Sequence, residues 1–197
     1  FAQDLRSQAS LLRARSHALG SLSAGALLSS RDYALGGGAN RVVGADLLWS
    51  PGAQDRWRAR ALASTTSAGF DAQGLPRRID AERGHWLSLR WNRRTRDWIV
   101  NLDLNDIAPR FRNDNGFVEQ AGIRRVEGEL IRRWGEVALP GVAAHEFETY
   151  LWAQHTATRR DTGIEAGQTI VRRWHPGIWL VGPLNSEAWA QLRLDAE

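Results

Sequence analysis

The sequence predicts an all-β chain, an antiparallel up-and-down meander of about ten strands that reads as a segment of a transmembrane β-barrel. Three observations point there. Apolar and polar residues alternate with period two through most of the 197 residues. The connections between alternating stretches are by turns short and long. Tryptophan, with 10 copies against 2 Tyr and 5 Phe, gathers where the short connections fall.

The elements follow in order. A weaker strand is expected over 10–18. Residues 21–31 set Leu22, Ala24, Ala26 and Leu28 on one face and Ser21, Ser23, Gly25 and Ser29 on the other. Over 41–50, Val43, Ala45, Leu47 and Trp49 oppose Gly44, Asp46 and Ser50, and over 56–66 Trp57, Ala59, Ala61 and Ala63 oppose Arg56, Arg58, Arg60 and Ser64. Residues 85–92 contrast Leu87, Leu89 and Trp91 with Ser88, Arg90 and Asn92. Residues 97–105 contrast Trp98, Val100, Leu102 and Leu104 with Asn101, Asp103 and Asn105. The second half is noisier. Residues 123–134 and 144–155 alternate less cleanly, strands are expected over 163–175 and 186–194, and a short extra one over 177–182. The five stretches from 21–31 to 97–105 each have one apolar and one strongly polar face, as a strand's two-residue side-chain period allows.

The connections 19–20, 51–55 and 93–96 are tight, whereas 32–40, 67–84 and 107–122 are long and polar. Short turns on one rim and long loops on the other are the plan of an outer-membrane barrel. Trp49 and Trp57 flank the Pro51 turn, and Trp91 and Trp98 flank the Arg93 turn. Trp134 ends its strand before Gly135, and Trp174 and Trp179 bracket a turn at His175-Pro176-Gly177. Trp49, Trp57, Trp91, Trp98, Trp134 and Trp174 are therefore expected in one interfacial girdle, where indole buries its ring and keeps its N–H wet.

Asp46, Arg56, Arg58, Arg60, Arg90, Asp103, Arg125, Glu127, Glu129, Glu146 and Glu148, with Arg133, fall on the polar parity and are expected to line a charged interior. Register supports this. Trp49 opposite Trp57 sets Asp46 against Arg60, and Trp91 opposite Trp98 sets Ser88 against Asn101. Arg132 and Arg172 fall on the apolar parity, each two residues before a Trp, where arginine can snorkel to headgroups.

Composition removes other classes. No Cys, Met or Lys is present, so disulfide scaffolds and thiolate chemistry are excluded and all 26 bases are arginine. Without a Met the chain reads as a piece of a longer one. A net charge of +4 with 22 acids is no nucleic-acid polycation. No apolar run approaches the ~18 residues of a membrane helix. His17, His85, His145, His155 and His175 never pair at metal-ligand spacing, and no nucleophile elbow, phosphate loop or dinucleotide fingerprint occurs. His145-Glu146 with Glu148 could serve as base and acid, but alternation splits neighbours between faces. No catalytic residue, metal or cofactor is expected.

One stretch carries more than composition: Asp106-Ile107-Ala108-Pro109-Arg110-Phe111-Arg112-Asn113-Asp114-Asn115-Gly116-Phe117-Val118, after Leu102-Asp103-Leu104 and before Ile123-Arg124-Arg125. With Asn40-Arg41-Val42-Val43-Gly44-Ala45-Asp46 and Ala63-Ser64-Thr65, it resembles a bacterial family of uncharacterised outer-membrane proteins. In that family a domain like carbohydrate-binding module family 9 precedes a C-terminal barrel. The resemblance spans about 12–189, and implies an internal part of that barrel with Pro109 and Gly116 as loop-shaping residues. It lacks the carbohydrate-binding-like domain and a terminal aromatic residue, and implies no substrate. The expected partners are the outer-membrane bilayer and the rest of the barrel or a larger membrane complex. The expected role is transport, secretion or surface anchoring. The alternative is a soluble β-sandwich or lipocalin-like module binding a carbohydrate or other small ligand.

Overall fold

The computed structural model describes residues 6–34, 36–116, 118, 120–159 and 167–196. It is all-β: β1 (Ser7–Leu19), β2 (Leu22–Tyr33), β3 (Ala39–Trp49), β4 (Asp55–Phe70), β5 (Pro76–Arg94), β6 (Trp98–Ile107), β7 (Ile123–Leu139), β8 (Val142–Thr158), β9 (Thr169–Val181), β10 (Glu187–Gln191) and β11 (Leu194–Ala196). They form a single antiparallel sheet in which β1 to β10 each pair with their sequence neighbours, and β11 pairs with β9. The meander is an up-and-down one, without crossovers. It is open, with no pairing between β1 and the β9 to β11 end among the described residues.

Parity governs the sheet. Val43, Ala45, Leu47 and Trp49 of β3 stay exposed while Asn40 and Val42 are buried and Asp46 and Leu48 half-buried. Register carries that division across the strands, since directly opposed residues point to the same side. Leu28, Val43, Leu47, Leu87, Leu89, Val126 and Leu130 are large apolar side chains exposed on one face. The opposite, polar face holds the main buried cluster of Val42, Leu62, Ile107, Ala108, Phe111 and Ile123. A sheet that turns its apolar side outward and buries residues on its polar side inverts the ordinary soluble arrangement.

Several details differ from expectation. Most of 67–84 is strand, not loop: β4 runs to Phe70 and β5 starts at Pro76, with Asp71 closing the turn by accepting from the N–H of Gln73 (3.0 Å) and Leu75 (2.8 Å). Alternation is lost there because Arg77, Arg78, Asp80, Glu82 and Arg83 put charges on both parities. The 93–96 turn sits two residues later. Thr95 and Trp98 close it, and Arg94 pairs with Ile99, so Trp91 faces Leu102 and Asn92 faces Asn101. An even shift keeps like faces together. There is no turn at His175-Pro176-Gly177, and 177–182 is no separate strand: β9 runs through to Val181. The strand expected at 186–194 splits into β10 and β11, which share one register on β9 and are interrupted opposite Pro176, a residue with no N–H to donate. The strand expected from 163 is β9, starting at Thr169; 163–166 lie outside the described residues. Trp134 does not end its strand. β7 continues to Leu139, and Gly135, at φ +74°, forms a bulge there.

Candidate functional site on the polar face

Strand parity positions the charged side chains in rows across the sheet. One row runs Asp46, Arg60, Ser88, Asn105, Arg125, and the next runs Arg58, Arg90, Asp103, Glu127, Gln154, Arg173. A third runs Arg56, Asn92, Asn101, Glu129, Trp152, His175. Glu148 opposes Arg133, and Glu146 opposes Val181. All eleven charged residues singled out in the sequence share this face, opposite the side of Leu89, Val100 and Leu102.

Two clefts lie along these rows. Arg13 and Arg15 reach across β2 to Asp46 at 3.1 and 2.8 Å. They can do so because Gly25, between them in the row, has no side chain; a Cβ there would lie 2.7 Å from Asp46 Oδ2. Arg60 stacks over Trp86, 5.3 Å from the ring centre. Arg56 and Arg58 make no ion pair among the described residues. Arg13, Arg15, Asp46, Arg58, Arg60 and Trp86 line a cleft of about 470 Å³ that also takes in Arg90 and Asp103. A second cleft, about 400 Å³, begins at the same Arg90–Asp103 ion pair and continues past Asn101, Glu127, Glu129 and Trp152. Asn101 donates to Glu129 at 2.7 Å, Trp152 Nε1 donates to Glu127 at 3.3 Å, and Arg133 holds Glu148 at 2.9 Å. The first cleft is thus lined mainly by arginines and the second mainly by carboxylates, and the Arg90–Asp103 pair belongs to both.

Above these clefts, toward the long connections, lies an arrangement that parity alone does not reveal. The segment after β6, residues 108–116, folds back over the polar face of β5, β4, β3 and β2, about four strand spacings of ~4.8 Å. Ala108 N donates to His85 O at 2.8 Å, and Phe111 sinks in beside Trp86, edge to face at 6.0 Å between ring centres. Gly84 makes room, since a Cβ there would strike the backbone of Phe111. Arg112 donates from its backbone to Ser64 Oγ (3.2 Å) and from its guanidinium to Ala68 O (2.5 Å) and Asp114 (3.0 and 3.2 Å). Asn40 is the central clasp. Its amide donates to Thr66 Oγ1 (2.7 Å) and Arg112 O (3.1 Å), and its oxygen accepts from Asp114 N (3.0 Å). Asp114 in turn takes Tyr33 OH at 2.9 Å and Arg31 at 2.7 Å on its carbonyl, and Asn115 donates to Ser29 Oγ and Ser30 O. This is the stretch whose pattern stood out in the sequence. Its Phe117 lies outside the described residues.

The six tryptophans Trp49, Trp57, Trp91, Trp98, Trp134 and Trp174 all fall on the apolar face, and Trp86, Trp152, Trp179 and Trp189 on the polar one. Trp49, Trp57 and Trp91 stand side by side on three strands, the last two stacked at 5.2 Å. Arg132 lies over both Trp98 (4.9 Å) and Trp134 (5.2 Å) and beside Asp97. Trp174 stands within β9 rather than at a turn.

Among the described residues no three His, Asp or Glu converge on a point where a metal could bind, and no helix is long and apolar enough to cross a membrane. Comparison with protein-family models, curated proteins and solved structures finds no match to the chain.

Proposed function

We propose that this chain is part of a bacterial outer-membrane β-barrel, of the family its 106–118 motif resembles, whose polar face lines a charged passage serving transport, secretion or surface anchoring. The observation that carries this reading is the inverted burial of the sheet. Its Leu, Val and Trp side chains are exposed on one face, while the opposite face holds arginines, carboxylates and a docked loop. Lipid is the solvent that rewards such an outside. Strands β1 to β9 have 10 to 19 residues each, enough for the ~9–11 that a tilted strand needs to cross a bilayer. The folded-in 108–116 segment narrows the passage, and the separated arginine and carboxylate clefts set a field across it. No catalytic role enters this reading. A soluble ligand-binding module would have to bury the face that is exposed here.

The test is reconstitution of the full-length protein into vesicles whose acyl chains carry bromine. Strong quenching of tryptophan emission relative to unbrominated vesicles is expected, together with ion conductance. A protein that stays in the aqueous fraction without detergent, its emission untouched by brominated lipid, would overturn the proposal.

A further inference from the structure

The apolar face is not apolar throughout. At the rim of the long connections, Asp106, opposed to Leu87 on one side and Arg124 on the other, brings a carboxylate onto it. Arg124 Nε lies 2.9 Å from one Asp106 oxygen, and Arg159 forms an ion pair with the other. Arg159 also stands 3.1 Å from His85 Nε2. Two residues along β5 from His85, on the same parity, is the exposed Arg83. Directly below the cluster runs a shallow groove of about 340 Å³ lined by Leu87, Leu89, Leu104 and Val126, with Asp106 and Arg124 at its head.

We infer that this place binds a membrane lipid with a net-anionic phosphate headgroup, its phosphate on Arg124 and Arg83 and an acyl chain along the Leu87–Leu89–Leu104–Val126 groove. The inference rests on the membrane reading above. The roles divide by exposure. Arg159, whose side chain is only 15 % exposed, and Asp106 form the fixed base, and Arg124, 66 % exposed, keeps guanidinium hydrogens for an external acceptor. Asp106 cannot cancel both Arg83 and Arg124, so the two leave a positive balance here. Guanidinium is the side chain best matched to phosphate oxygens, since its fork of donors binds them in pairs. A free anion would have no use for the groove, and a neutral lipid none for the arginines. An amphiphile with an anionic head satisfies both.

The experiment uses the full-length protein in phosphatidylcholine vesicles containing spin-labelled phosphatidic acid, with the matching diacylglycerol as the phosphate-free probe. Insertion is followed in the same vesicles by bromine quenching. The expected result is a selective, motionally restricted population of phosphatidic acid. Its selectivity over phosphatidylcholine should fall about tenfold in Arg124→Gln and in Arg83→Gln, the size of one charge-assisted hydrogen bond, and by less in Arg124→Lys, which keeps the charge but not the paired donors. Arg83 makes no ion pair among the described residues, so that variant tests the site without disturbing the fold. An inserted protein that holds both lipids alike, or variants that bind as the parent does, would overturn the inference and leave the membrane reading standing. Displacement of the lipid by inorganic phosphate would assign the cluster to a free anion and equally overturn it. Failure to insert would remove both.

Discussion

The two ends of the polar face follow the same period-two code and reach opposite solutions. Toward the long connections the face is dry. Val42 is 1 % exposed and Phe111 2 %, and Asn40 and Thr66 are buried with their polar atoms matched to each other and to the 108–116 segment. Toward the short turns it is wet, with Arg56 and Arg58 exposed and Arg90 held to Asp103 at the surface of an open cleft. Alternation decides which side a residue faces. What covers that side is decided by chain from elsewhere, and among the described residues a segment covers one end and not the other.

The contrast can be broken most strongly at Phe111. Phe111→Ala should destabilise the full-length protein by about 3–5 kcal/mol, the range for emptying a buried aromatic site, read as a lowered urea midpoint in vesicles. Gly84→Val attacks the same seat from the strand side. It should cost roughly 1–3 kcal/mol by overpacking and raise proteolysis within 108–116, turning the dry end into a second wet one. Asn40→Ala removes the clasp but keeps the apolar packing. A loss of about 1–3 kcal/mol is expected, because partners on Thr66, Arg112 and Asp114 are left unmatched; equality with the parent in the same titration would show that water replaces the amide. At the wet end the effects shrink. Arg90→Ala should cost no more than about 1 kcal/mol, the range for exposed ion pairs, and the difference should vanish in 1 M salt, where the screening length is about 3 Å. Arg58→Ala should lie within about 0.5 kcal/mol of the parent while shifting the ion selectivity of the conductance toward cations. A large stability loss there would mean that the end is drier than its exposure indicates.

Much of the fold was legible because strand parity depends on nothing but neighbours in sequence. The faces of β2 to β8 and the sharing of one side by eleven charged residues all follow from counting in twos. Register was legible where a turn is short and symmetric, as at Trp49 opposite Trp57, and not where the turn centre could slide, as between β5 and β6. The long hairpin beyond Thr66 read as loop because polar residues on both faces erase alternation. The docked segment was visible only as an unusual motif. Its seat did leave a trace, because Val42, Leu62 and Gly84 interrupt the polar parity of β3, β4 and β5 at neighbouring levels with apolar or missing side chains. Such a gap in a charged face calls for a plug. Which segment fills it is a long-range fact that a two-residue period does not encode.

Gly25 matters beyond the space it leaves. By letting Arg13 and Arg15 close on Asp46 over the top of β2, it makes β1 answer to β3 as well as to β2. A strand in a ladder is ordinarily tied only to the strands directly beside it. Here parting β1 from β2 also means parting two guanidinium groups from a carboxylate two strands away. One carboxylate thus cross-ties three consecutive strands at a single level, a bond laid over the ladders that backbone pairing alone does not supply.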